Sequence, residues 1–271
     1  MILNSSRRGA ACAALVLGAL VCFGAGAANA QTQAPAAAAP QTLRAPGDLR
    51  DLRIGDKAAE IPTAGYFKFA CGSNGGAPLN PLKGWTDFSK CLPEKGTGLR
   101  EVYFEYDNEG ELQARMLADL LGPENANLPG RNYYGTRVAG YPVVLSLLFD
   151  DTGVAKVIRA VTDDRADFEY RHNAYLMRIP IVNQWGGASS WDCMNLPLAD
   201  GQTPVGSFFI KMHCEKGINS DRHMVVEANL YRKPGQTGFD RAGMPVEGDY
   251  LSQSRWETWD AKWRQAHPPQ P

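Results

Sequence analysis

The sequence has no surplus of charge of either sign, with 28 Lys and Arg against 29 Asp and Glu and a formal −1 at pH 7. Without a basic excess, no field gathers nucleic acid or anionic lipid, so nucleic acid is excluded as a partner class. There is no Cys-x-x-Cys pair, the spacing that lowers a thiol pKa in redox motifs and that opens most zinc knuckles. Cys214 with His213 and His223 is therefore a poor zinc set, and no metal or cofactor is expected. Gly-x-Ser-x-Gly is also absent, and the four histidines are scattered, His172 in a charged stretch and His267 near the end. A local serine nucleophile with its base is excluded. The glycine-rich run from Cys71 to Gly76 is followed by Pro78 and Pro81 rather than by a helix, which removes the phosphate-cradle reading.

Apolar residues are not scarce: 44% of the 271 residues are hydrophobic and 21% charged, enough for a sizeable core and incompatible with a disordered polymer. Arg7 and Arg8 precede an uncharged apolar run over residues 9–28, and Ala28-Asn29-Ala30 offers small residues where a signal peptidase cuts. Residues 1–30 thus follow the plan of a secretory signal peptide. Gly18, Gly24 and Gly26 weaken the helix that a permanent anchor needs, so cleavage is expected, with no stable membrane insertion afterwards. The mature chain loses two basic residues and no acidic ones. Residues 31–47, with four consecutive alanines between Pro35 and Pro40, form a low-complexity linker that cannot offset its ordering entropy and is expected to be disordered. A periplasmic or secreted location follows.

Two cysteines leave with the leader, and Cys71, Cys91, Cys193 and Cys214 remain. An even number in an oxidising compartment points to disulfides. Short spacings within each half, against at least 102 residues between halves, favour Cys71–Cys91 and Cys193–Cys214.

Tyr66 to Ala70 is expected to be a strand, and Trp85 to Phe88 a turn of helix. From residue 99 to 106, Glu101, Tyr103 and Glu105 alternate with Val102, Phe104 and Tyr106, the period of a half-buried strand with its glutamates in water. Asp107 to Gly110 supplies a turn, and residues 112–121 favour a helix. Residues 143–149 and 154–162 flank Asp150-Asp151-Thr152-Gly153 as a hairpin. Both that turn and Tyr106–Gly110 close in an aromatic residue followed by Asp-x-x-Gly. This motif resembles the outer hairpins of small exported bacterial proteins of the SmpA/OmlA-like and PepSY kinds, a resemblance that implies a binding or assembly module and assigns no functional residue. The chain is also similar to exported proteobacterial proteins at large.

In the second half, residues 175–182, 205–212 and 224–231 are expected as strands of an antiparallel meander. Ser254-Arg255-Trp256-Glu257 has the spacing of a capping box, and Trp256, Trp259 and Trp263 then share a helical face. This stripe either docks the last helix or forms a binding platform for a glycan or protein. His213 and His223 could face each other across a hairpin, while Glu101 and Glu105, four apart on a strand, lie too far apart for acid–base work. Asp150-Asp151 and Asp163-Asp164 suit turns better than calcium.

The expected architecture is α+β: mainly antiparallel β-sheet with a few helices including a C-terminal one, stapled by disulfides. Its halves are residues 48–168 and 169–266. The expected role is that of an exported, non-catalytic binding or envelope-accessory module for a protein, small-molecule or glycan partner. The alternative is a secreted hydrolase whose site is built from sequence-distant residues.

Overall fold

The computed structural model describes residues 48–106, 136–219, 221–236 and 250–268. The expected leader, the expected linker, the turn expected at 107–110, the helix expected over 112–121 and most of the Pro- and Gly-rich stretch 234–245 lie outside the described residues.

Among the described residues nine strands form one sheet: β1 (Tyr66–Cys71), β2 (Arg100–Tyr106), β3 (Thr136–Val138), β4 (Tyr141–Phe149), β5 (Ala155–Thr162), β6 (Asp192–Asn195), β7 (Ile210–Asn219), β8 (Arg222–Tyr231) and β9 (Leu251–Asp260). Their order is β1-β2-β4-β5-β9-β8-β7-β6, with β3 pairing beside β4, and every pairing is antiparallel. Each half supplies a meander, and the last strand of each, β5 and β9, pairs along the middle. Arg159 opposite Glu257 is the central pair of that seam. The second half therefore runs outward in mirrored order from the first.

One face carries most of the apolar core. Val102, Phe104, Leu145, Leu147, Ile158 and Trp256 point into it. A lead-in segment covers part of this face by placing Leu52, Ile54, Ala58 and Ile61 in the core, held down by hydrogen bonds between Gly55 and Ala155 and between Ala58 and Gly153. A 3-10 turn at Trp85–Lys90 adds Trp85, whose ring meets Tyr66, Phe69 and Phe104 edge-on at centroid distances of 5.4, 4.7 and 4.8 Å. Such edge-to-face contacts favour a unique packing over a merely greasy one. Helices α1 (Phe168–His172) and α2 (Arg178–Gln184), with a 3-10 turn between them, link the halves and lie over β8 and β9.

Several sequence expectations change. Residues 174–184 are helical rather than a strand, and Pro180 fits because it sits in the first turn of α2, where its missing N–H would have no helical partner. The strand expected from residue 205 begins at Ile210, because Gly206, at φ 65°, turns the chain between Val205 and Phe208.

The largest change concerns the capping box. Residues 251–260 are a strand, and the C-terminal helix is the short α3 (Ala261–Ala266), capped by Asp260, whose carboxylate accepts from the Trp263 N–H. Ser254, Trp256 and Thr258 face the core at period two, and both β5 and β8 need a partner between them. Two flanking ladders of backbone hydrogen bonds outweigh one helical turn.

Both expected disulfides are present, Cys71–Cys91 and Cys193–Cys214, the latter joining directly opposed residues of β6 and β7.

Candidate functional site

The sheet's other face is charged at its middle. Pairing registers place Glu101 of β2, Arg159 of β5, Glu257 and Arg255 of β9 and Glu227 of β8 on that face, with β4 lying between β2 and β5. Arg159, 3% exposed, donates to Glu257 at 2.6 Å and to Glu94 at 2.9 and 3.2 Å, and its charge lies 3.4 Å from Glu101. Arg255 donates to Glu257 at 2.8 Å, and the Trp259 indole N–H reaches the same carboxylate at 3.0 Å. Burial pushes the Glu257 carboxyl upward, but Arg159 and Arg255 outweigh it and hold the group below the ordinary glutamate range. It stays ionised.

The expectation that Glu101 and Glu105 face water is corrected. They do share a face, but they are 4% and 6% exposed. Glu101 lies under the loop after β1, accepting from the Asn74 N–H at 2.6 Å, and Glu105 accepts from the Tyr103 hydroxyl at 2.5 Å beside Lys68. The loop crosses so closely that a side chain at Gly72 would strike Glu101, and one at Gly75, at φ 88°, would strike Val161 at 2.6 Å.

Over this floor opens a cleft of about 560 Å³. One wall is built from Asn74 and from Glu94, Lys95, Gly96 and Thr97; the other is Arg264 of α3 with His267 just past its end. The Cys71–Cys91 bridge ties the two loops of the first wall together, since Asn74 follows one cysteine and Glu94 the other. Asn74 also accepts from Arg255 at 2.8 Å, fastening wall to floor.

Arg264 stands apart from the other arginines here. Its guanidinium lies 4.5 Å from the Trp259 ring centroid, and among the described residues no carboxylate oxygen comes within 4.0 Å of it. On its far side a second concavity of about 420 Å³ is lined by Glu215, His223 and Gln265 as well as Arg264. His213 and His223 are not opposite each other; His213 pairs across with Glu227 and His223 with Gly217. Glu215 connects them, 2.9 Å from His213 and 3.4 Å from His223. The His213 contact chiefly holds Glu215 below its ordinary range, and burial chiefly lowers His223, against the opposing pull of Glu215.

The three tryptophans are split by the strand. Trp256 points into the apolar core beside Trp185, with centroids 6.4 Å apart, while Trp259 points to the cleft face. Trp263 on α3 is stacked on Trp259 at 5.9 Å and on His267 at 4.1 Å. A ring with two stacked neighbours offers little open surface to a sugar. Trp259 itself is 2% exposed.

Other candidates are engaged structurally. Asp150 caps its own turn through Thr152 and Val154, and Asp163 is held by Arg165 at 2.6 Å. Among the described residues no group of three metal-ligating side chains converges. His172 lies between Phe168 and Tyr250 beside a recess of about 220 Å³.

The cleft residues, including Arg159, Arg255, Arg264, Asn74 and Glu94, were not singled out by sequence reasoning. One signal was available: Arg159 lies between Val157 and Val161 on its own strand face, an isolated charge that burial would force to find partners. The partners Glu94, Glu101 and Glu257 come from three other segments, and spacing cannot reveal them. The chain matches no family model, no curated protein and no solved structure, so the functional reading rests on this geometry.

Proposed function

We propose that this chain is an exported, non-catalytic binding module, periplasmic or secreted, that holds a small polar molecule or glycan unit in the cleft at the seam of its two meanders. The supporting observation is the state of the charges. The floor carboxylates are bound by arginines, and Glu257 is held low, whereas among the described residues no carboxylate oxygen lies within 4.0 Å of Arg264 at the mouth.

A hydrolase needs a group that gives or takes a proton near working pH. The cleft has the converging charges of an enzyme site, but Glu257 on its floor, like Glu215 in the neighbouring concavity, is shifted downward, away from that range. His213 and His223 contact carboxylates, and neither touches a serine, threonine or cysteine among the described residues. The cleft volume falls within the roughly 300–1,000 Å³ usual for small-molecule sites. Two disulfides suit an oxidising compartment, and among the described residues no helix is long and apolar enough to cross a membrane.

The test is amide NMR of the folded chain titrated with a polar extract of the cell envelope. Shifts confined to Asn74, residues 94–97, Arg255 and α3 support the reading. Turnover of extract components, or shifts confined to other parts of the sheet, would overturn it.

A further inference from the structure

The charge count at the cleft selects among ligands. Four cations line it, Lys95, Arg159, Arg255 and Arg264, against three carboxylates, Glu94, Glu227 and Glu257. Arg159 and Arg255 are committed to the floor. Arg159 is shared by Glu94, Glu101 and Glu257, and Arg255 is bound to Glu257 and Asn74. That leaves Arg264 on one wall and Lys95 on the other, both without a carboxylate within 4.0 Å among the described residues. Glu227, on the side nearer β7, faces His213 at 3.4 Å.

Resting on the binding reading above, we propose that the cleft takes a small polar monocarboxylate, of the sugar-acid class, whose carboxylate is gripped by Arg264 with Lys95 closing from the opposite wall. The guanidinium supplies a planar fork of N–H donors matched to a carboxylate, and the Trp259 ring beneath it fixes the plane of that fork. Stacking on an indole leaves the edge of the guanidinium, where the donors lie, free to face a ligand.

One anionic charge is what the site accommodates. Arg264 and Lys95 are the cations left over from the floor network, so a single carboxylate placed between them is matched, whereas a larger anionic charge also meets Glu94, Glu227 and Glu257 in the same lining. The rest of the ligand contacts carboxylates, a guanidinium, the Asn74 amide and the Thr97 hydroxyl, groups that pair with hydroxyls rather than with hydrocarbon. The stacked faces of Trp263 argue against a flat sugar-on-ring mode and leave polar edge contacts as the means of holding the body.

The test uses the full disulfide-bonded chain and three probes: D-glucuronate, neutral D-glucose, and D-glucose 6-phosphate as a dianion, each followed by calorimetry and by NMR of the cleft residues. Glucuronate is expected to bind at least about tenfold more tightly than either of the others. Arg264→Gln is expected to abolish that preference, and Lys95→Gln to weaken glucuronate by about two- to fivefold, with the fold unchanged by circular dichroism. Equal binding of glucose and glucuronate at the cleft, insensitive to Arg264→Gln, overturns the carboxylate assignment and leaves the binding reading standing. Tighter binding of the phosphate overturns it in favour of a dianion. Absence of cleft shifts with all three probes, together with none from envelope extract, removes both.

Discussion

Replacing Arg159 by methionine is the most informative perturbation of the scaffold. The guanidinium is 3% exposed and serves Glu94, Glu257 and Glu101 within 2.9, 2.6 and 3.4 Å. Methionine fills a similar volume, so little of the effect comes from a cavity. What changes is the charge of the interior: Arg255 alone remains against the carboxylates of Glu94, Glu101 and Glu257. Removing one partner of a buried ion pair typically costs about 3–5 kcal/mol, because the other is left charged and desolvated. We expect Arg159→Met to lose that amount at pH 7, measured by urea unfolding followed by tryptophan fluorescence. The deficit should depend on pH with a definite sign. In the wild type Glu257 has a depressed folded value, so its stabilisation is present above the unfolded value of about 4.3 and is lost as pH falls through the folded one. In the variant the stranded carboxylates take up protons more readily, which relieves them. The gap between the two proteins should therefore narrow between pH 7 and pH 4. A loss below about 1 kcal/mol, or a gap constant across that range, would refute the view that the floor is a tightly coupled charge network.

Three further outcomes follow from the same geometry. Gly75→Ala places a Cβ 2.6 Å from Val161 at a φ of 88° and should destabilise by about 1–3 kcal/mol, while Gly96→Ala, with open space around it, should cost much less; thermal unfolding compares them. Removing either disulfide by paired alanine substitution should cost about 3 kcal/mol for loops of 20 or 21 residues, but only loss of Cys71–Cys91 should also weaken ligand binding, since it alone ties the cleft wall. Burial holds His223 below its ordinary value of about 6.5, so the unfolded chain binds the proton first; stability should fall as pH drops through that value, and His223→Gln should flatten the slope in a pH series of denaturation midpoints.

How far the sequence revealed this molecule depended on the range of the signal. The hairpin at 150–153 was legible because Asp150 writes its turn locally, its carboxylate accepting from the Thr152 and Val154 N–H groups. The disulfide pairing was legible because the spacing within each half is short. Residues 251–260 were misleading because tryptophans three apart fit a helix face, and only the two open edges of β5 and β8 make the strand the better solution. The alternation in β2 correctly grouped Glu101 with Glu105, yet it could not reveal that a glycine loop from β1 would close over one of them. The cleft was invisible for the same reason. Arg159 and Glu257 meet 98 residues apart in sequence, and Arg255 meets Asn74 across 181.

The floor of the cleft is either a fixed, ionised scaffold or a source of protons. Side-chain carboxyl NMR of Glu257, labelled with carbon-13 and followed from pH 3 to pH 8, decides this directly. The structure predicts a midpoint below the ordinary glutamate value of about 4.3 and no change near neutrality. A midpoint above about 6 would mark a general acid and would contradict the binding account in favour of catalysis.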